Sequence, residues 1–273
     1  MPELPEIETI TRSLQSLVGL KITRLEIVMP SVIKRMEFPA EDVPGSKIQE
    51  IRRRGKFIVI KLEGQKNRPL VPHIVVHLGM SGRFYLAAPK DPREKHTHVV
   101  ITIDKKQELR YQDPRRFGGV WLVNDPECVF GHMGPEPLGN GLTKKYLREK
   151  SQGKKVAIKT FLLDQRILAG IGNIYADEIL NRAAISPERP AGSLNDQEIN
   201  RLYKAIRETL ELGIANRGTT FRDYRDGFNL PGGFQHHLRV YGKAGQPCPS
   251  CGKPVCRIVI GGRSTHFCDH CQK

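Results

Sequence analysis

No run of apolar residues in this chain approaches the roughly eighteen that a membrane span needs. A signal peptide is also missing: the N-terminus is acidic and amphipathic instead of basic then apolar, which places the protein in the cytoplasm. There is no long disordered tract, since 38% hydrophobic residues spread through 273 positions suffice for a folded protein of two domains or one large one. Acidic residues are in short supply. Asp+Glu total 29 against 44 Lys+Arg, a net charge of +15 and a pI near 9.7. Solubility needs only a small net charge of either sign, so an excess this large points to a polyanionic partner. No basic amphipathic helix stands out, which favours nucleic acid over a membrane surface.

The most specific local pattern is at the C-terminus. Cys248-Pro249-Ser250-Cys251 and Cys268-Asp269-His270-Cys271 are two CxxC pairs separated by sixteen residues. That spacing fits a tetrahedral four-thiolate zinc site closing a hairpin. Disulfides are the rival, disfavoured in a cytoplasmic protein and geometrically poor for CxxC. His266 and His270 compete as ligands only if a thiolate is missing, and Cys128 and Cys256 receive no role. Within the hairpin, Arg263 sits among Gly261, Gly262, Ser264 and Thr265, where a finger tip can reach a phosphate.

The opposite end reads Met1-Pro2-Glu3-Leu4-Pro5-Glu6. Loss of Met1 leaves Pro2 with a free secondary amine, which adds to an aldehyde-level carbon and gives an iminium electron sink. Glu3 beside it can move protons around the adduct. Ile7, Ile10, Leu14 and Leu17 recur at helical spacing, so a helix starts here and its dipole favours the neutral amine. A plain helix start explains the same residues, with proline at its opening and acids in its first turn.

Short apolar stretches follow at 22–28, 48–54, 57–62, 73–78, 83–86, 99–103, 108–111 and 119–123, punctuated by turn residues in the pattern of an antiparallel sandwich or barrel. Arg52-Arg53-Arg54-Gly55-Lys56-Phe57 reads as a basic hairpin turn, either phosphate-facing or solvated. Asp113-Pro114-Arg115-Arg116-Phe117-Gly118 carries two arginines and an aromatic. Phe117 is either a wedge for a base stack or a side chain tucked into the sandwich. Met80, in His77-Leu78-Gly79-Met80-Ser81-Gly82, is equally core or probe, and His96 and His98 stand near a strand start.

The Gly/Pro-rich stretch 131–139 reads as a linker. Beyond it, helical periodicity covers 146–151, 156–165, 174–184 and 196–216. Ala169-Gly170-Ile171-Gly172-Asn173-Ile174 is no dinucleotide fingerprint, because a helix precedes it and a third glycine is absent. Glycines ahead of a helix still let backbone approach an anion, with Asn173 as cap or phosphate donor. The aperiodic stretch 217–235 has the length of a functional loop, such as a lid over a substrate pocket.

Together these motifs resemble formamidopyrimidine-DNA glycosylase, the bacterial family that repairs oxidised purines. The resemblance rests on residues 1–6, Arg53-Arg54-Gly55-Lys56, 113–118, Gly170-Ile171-Gly172-Asn173-Ile174-Tyr175 and the finger with Arg263, and it covers the whole chain. It implies an α+β fold: an N-terminal helix on an antiparallel β-sandwich, then a helix–two-turn–helix domain and a zinc-finger hairpin, with DNA across the cleft. The implied domains are 1–133 (catalytic sandwich), 134–235 (helix–two-turn–helix with the lesion loop) and 236–273 (finger). It further implies a monomer acting on damaged double-stranded DNA, with one structural zinc. In family terms Pro2 attacks C1′, Glu3 supplies the proton that opens the sugar, Lys56 assists β-elimination and Arg263 δ-elimination. Met80, Arg115 and Phe117 fill the gap left by the flipped base. His96, Arg116, Lys155 and Asn173 match DNA contacts, and Lys159 is expected near the lesion.

The sequence departs from many relatives where Gly79 replaces arginine, Ser81 replaces glutamate and Ser264 stands in a Gly-Arg-Gly-Thr motif. These bear on lesion contacts and leave the chemistry intact. Two rival readings remain. An endonuclease VIII-type enzyme uses the same amine on oxidised pyrimidines, but its members usually carry glycine where Leu4 stands. A non-catalytic zinc-ribbon DNA-binding protein explains charge and cysteines while leaving Pro2 and Glu3 idle.

Overall fold

The computed structural model describes residues 1–63, 72–104 and 106–273. They form two compact units: Met1–Gly131 with Asn216–Gly233, and His132–Ala215 with Phe234–Lys273.

The first unit begins with helix α1 (Leu4–Ser13), which buries Ile7 and Ile10 on the stripe their spacing defines; Leu14 and Leu17 continue the same apolar face. Nine strands follow among the described residues: β1 (Ile22–Ile27), β2 (Ile33–Met36), β3 (Ile48–Arg54), β4 (Phe57–Leu62), β5 (His73–His77), β6 (Arg83–Ala87), β7 (Thr97–Ile103), β8 (Gln107–Gln112) and β9 (Gly119–Val123). They make one sheet of order β1-β7-β8-β6 and another of order β2-β9-β5-β4-β3. Ile58, Val59 and Ile60 of β4 and Ile74, Val75 and Val76 of β5 are all buried, as expected where a sheet is covered on both faces. α1 packs against β3 and β4, and its Ile7 and Ile10 share one core cluster with Ile58 and Ile60 of that sheet and Val99 and Ile101 of the other.

β2 was not foreseen. Its Ile-Lys-Arg-Met stretch is nearly all exposed and has no alternation, and it joins the sheet through a parallel pairing of Ile33 with Val120. The short helix α2 (Glu127–Phe130) was also missed, and carries Cys128 at the surface.

The second unit contains α3 (Lys144–Ser151), α4 (Ile158–Leu163), α5 (Asn173–Ala183) and α6 (Asp196–Ala215), with a hairpin of β10 (Cys256–Ile260) and β11 (Arg263–Phe267) packed on α5. Cys256 opens β10. The long loop after α6 differs from the expected division, which joined it to the helices: Asn216–Gly233 packs with the sandwich. Tyr224 enters the sandwich core beside residues such as Ile7, and Leu86 N donates to Gly227 O at 2.8 Å.

Candidate active site and zinc centre

Pro2 and Glu3 are buried where the chain enters α1. Glu3 is the N-cap residue with extended backbone, and its amide donates to Glu6 Oε2 at 2.8 Å. The reading of these residues as a helix start is therefore satisfied.

Lys56 lies in the two-residue turn between β3 and β4, whose first position is Gly55 at φ +56°, as the twist of a tight hairpin demands. Lys56 is buried despite its place at the tip. Of the three arginines before it, Arg53 turns inward: its Nε donates to Glu8 Oε2 at 2.9 Å and its Nη1 to Gly55 O at 3.2 Å. Burial alone would raise the pKa of Glu8. Hydrogen bonds and charge from Arg12 and Arg53 outweigh it and hold the carboxylate below its usual range. Arg53 thus ties the Lys56 turn to α1.

His77, to which no motif points, neighbours Lys56. Burial first, and then the Lys56 charge, depress its pKa to about 4, so it is neutral at working pH. Its Nδ1 accepts from Gly79 N at 3.2 Å, which leaves Nε2 to carry the ring proton. The cue was the chain position, two residues before Gly79.

Met80 is 43% exposed and Phe117 63% exposed, so both stand out from the surface and neither belongs to the core. Their turns are pressed together. Gly79 has φ +59°, and a Cβ there would lie 2.6 Å from the Phe117 carbonyl carbon. The Arg115 guanidinium sits 5.5 Å from the Phe117 ring centroid. Asp113, fully buried, organises this group. Its Oδ1 accepts from Ser81 Oγ at 2.8 Å and Arg115 N at 3.3 Å, while Oδ2 accepts from Gly118 N at 2.9 Å and Tyr111 OH at 3.3 Å. Arg115 Nε donates to Ser81 Oγ at 3.2 Å, so the serine that departs from many relatives braces the arginine here. His96, at φ +68°, is strapped to the same turn by Asp113 N donating to His96 O at 3.1 Å. Arg116 is exposed beside it at φ +56°. Met80, His96, Arg115, Arg116 and Phe117 therefore gather around one buried carboxylate.

In the second unit Asn173 is the first residue of α5, behind Gly170 at φ +86° and the N-cap Gly172. Its Nδ2 donates to Ser264 O at 2.9 Å, so it holds the finger tip as well as the helix start. Arg263 opens β11 behind Gly261 and Gly262, both at positive φ, and is exposed, as is Lys155. Lys159 differs from the other proposed contacts in its surroundings. Expected near the lesion as a DNA contact, it is fully buried and its ammonium is taken up within the protein. Its Nζ lies 2.7 Å from Asp177 Oδ1 and donates to Ser264 O and Thr265 Oγ1, each at 2.8 Å. The physical reason is that a desolvated ammonium needs every one of its donors satisfied, and finger and α5 supply the acceptors. Two further α5 residues complete the attachment. Asp177 Oδ2 accepts from His266 N at 2.8 Å, and Glu178 accepts three main-chain amides of Arg239, Val240 and Tyr241 at 2.8–2.9 Å. Burial raises the Glu178 pKa against the opposing pull of those amides.

The sulfurs of Cys248, Cys251, Cys268 and Cys271 all lie within 4.8 Å of one another. Zn–S bonds of about 2.3 Å in a tetrahedron put sulfurs roughly 3.8 Å apart. The observed Cys251–Cys268 and Cys248–Cys271 separations of 3.5 and 4.0 Å bracket that value. A hydrogen bond with Cys251, then burial, pushes the Cys271 thiol up to about 12, a cost that a central dication reverses. The four cysteines fit one structural zinc, and neither His266 nor His270 is needed.

The fold and these centres define a class: a helix-capped β-sandwich joined to a zinc-clipped helix–two-turn–helix unit. Sequence profiles described as the formamidopyrimidine-DNA glycosylase N-terminal domain, the formamidopyrimidine-DNA glycosylase H2TH domain and a zinc finger found in FPG and IleRS match residues 1–120, 133–225 and 245–273. A formamidopyrimidine-DNA glycosylase from Syntrophomonas wolfei is 47% identical over 274 residues, covering 100% of both chains, and one from Pelotomaculum thermopropionicum is 44% identical over 282 residues, covering 100% of this chain and 99% of the relative. Among solved structures, a mutant Lactococcus lactis FPG in complex with Fapy-dG-containing DNA superposes with TM-score 0.90 at 35% identity, covering 100% of both chains. The MutM (FPG) protein of Thermus thermophilus gives TM-score 0.87 at 41% identity, covering 99% of this chain and 98% of that one. The chain belongs to the formamidopyrimidine-DNA glycosylase family.

Proposed function

We propose that this protein is a bifunctional DNA glycosylase and abasic-site lyase that removes oxidised purines, 8-oxoguanine and formamidopyrimidines, from duplex DNA in the bacterial cytosol. The observation that carries this is the pair Pro2–Glu3, buried at the start of α1 with Glu3 fixed by Glu6. It is supported by relatives solved with Fapy-dG-containing DNA and with abasic-site DNA. No helix among the described residues is long and apolar enough to cross a membrane.

Removal of Met1 frees the Pro2 nitrogen. Its lone pair attacks C1′ of the damaged nucleoside, the bond from C1′ to the base breaks, and the base leaves with a proton. Glu3 protonates the ring oxygen as the sugar opens, and the nitrogen becomes the iminium of a Schiff base. The iminium acidifies C2′; loss of that proton expels the 3′ phosphate, and a second elimination expels the 5′ phosphate. Lys56 and Arg263 bind these phosphates and assist the departures as they gain charge. Met80, Arg115 and Phe117 occupy the stack while the nucleotide is out, and His96, Arg116, Lys155 and Asn173 hold the backbone. When bound, zinc holds the finger that carries Arg263.

The test is a hydride trap. With duplex containing 8-oxoguanine opposite cytosine and borohydride, protein lacking Met1 should become covalently joined to DNA, and mass spectrometry should place the adduct on Pro2. An adduct on Lys56, or brisk cleavage with none, overturns the proposal. A thymine-glycol duplex run alongside distinguishes the oxidised-pyrimidine specificity.

A further inference from the structure

The segment Asn216–Gly233 leaves and returns at one point, closed by Gly233 N donating to Asn216 O at 2.8 Å. Asp226, whose side chain is fully buried, orders its 226–230 turn and pins that turn to Arg217, while Thr220 bridges Tyr224 and Gly232 separately. Oδ1 accepts from Phe228 N at 2.9 Å and Leu230 N at 3.0 Å, and Oδ2 pairs with the Arg217 guanidinium. Asp226 N also donates to Leu230 O at 2.9 Å. Arg217 has φ +60°, a conformation a side chain disfavours, so the ion pair holds backbone that would otherwise relax. A buried carboxylate stripped of its partners is costly, which makes the clasp cooperative.

This folded segment is fastened to the start of α1. Thr219 N donates to Glu6 Oε1 at 2.6 Å, and Tyr224 OH lies 3.1 Å from Arg217 O and 3.3 Å from Glu6 O. The other Glu6 oxygen accepts from Glu3 N. One carboxylate is therefore shared between the loop and the residue assigned above as proton donor.

We infer that Asp226, with Arg217, is a positioning residue for base excision: it folds the loop that fixes Thr219, and through Glu6 it sets the placement of Glu3. It touches none of the reacting atoms. The inference rests on the function proposed above and predicts a selective effect. Excision of an intact damaged base needs the Glu3 acid, whereas a ready-made abasic aldehyde is already partly open and needs only the amine.

The experiment uses zinc-loaded full chain lacking Met1 and compares single-turnover excision of 8-oxoguanine with cleavage at a preformed abasic site. Asp226→Asn keeps an acceptor for the two amides but loses the charge; Asp226→Ala loses both. Arg217→Gln alters a half-exposed side chain and carries the test if the alanine variant does not fold. Misplacement on the scale of an ångström costs about a hundredfold. Excision is therefore expected to fall about a hundredfold for Asp226→Ala and about tenfold for Asp226→Asn and Arg217→Gln, with abasic-site cleavage within about twofold of the parent. Retained abasic-site cleavage beside lost excision is what a general loss of stability does not produce, since unfolding removes both activities together. Equal losses on both substrates, or unchanged excision in all three variants, overturn the inference. A parent protein that forms no Pro2 adduct overturns the function itself and is recognised before any variant is compared.

Discussion

Replacing Lys159 with methionine preserves the volume of its stem and deletes an ammonium that makes three contacts, to Asp177 Oδ1 at 2.7 Å and to Ser264 O and Thr265 Oγ1 at 2.8 Å. Both charged side chains are excluded from solvent. Removing one member of such a pair typically costs about 3–5 kcal/mol, most of it from the charge left behind. Asp177 keeps the His266 amide at 2.8 Å, so the lower end, about 3 kcal/mol, is expected. That is roughly a hundredfold in the equilibrium for docking the finger hairpin on α5. Hydrogen exchange on β10 and β11 reads this directly: their amides should lose protection while those of β4 and β5 keep theirs. Adding Asp177→Asn should recover part of the loss, because no orphaned charge remains. If Lys159→Met leaves hairpin exchange and stability unchanged and weakens only binding to damaged duplex, Lys159 contacts the lesion after all and the clamp is refuted.

Four further outcomes follow from the same geometry. Asp113→Ala removes the acceptor of four hydrogen bonds and should cost about 2–4 kcal/mol in sandwich melting, with preference for damaged over intact duplex lost and Asp113→Asn intermediate. Cys268→Ser or strong chelation should abolish duplex binding while the sandwich still melts cooperatively, because the finger's small core is built largely from the four cysteines themselves; full affinity with an unfolded finger contradicts this. Log affinity against log salt should fall with slope about −5 if roughly six phosphates are neutralised; Lys155→Ala should flatten it by about one, and Arg115→Ala should leave it while impairing capture of the extruded state. His77 gives a pH window: its folded pKa of about 4 is below the unfolded value of about 6.5, so the unfolded chain binds the extra proton. Its contribution to stability is full above about pH 6.5 and is lost as pH falls towards 4, a loss His77→Gln should remove from acid-melting curves.

What the sequence determined alone were features set by neighbours along the chain. Helical spacing from Ile7 to Leu17 gave α1 and its buried face, β3, β4 and β9 appear at the expected bounds, and the two CxxC pairs specified the metal site, because two residues between thiolates is a local geometric condition. The β2 strand was invisible because its pairing with β9 is remote and its own composition is polar. Phe117 and Met80 were undecidable between core and surface, since an isolated apolar side chain in a turn carries no period; only the packing of Gly79 on the 117–118 backbone turned them outward. The burial of Lys159 is hidden from the sequence for the converse reason. Nothing near it in sequence announces that Asp177, Ser264 and Thr265 converge on its ammonium, and a lysine in a basic chain invites a phosphate. The placement of Asp113 under five proposed DNA-facing residues, and of Asp226 under the loop fastened to Glu6, likewise belongs to tertiary structure. A buried carboxylate acts through partners brought from distant segments, and its burial is decided by what packs over it.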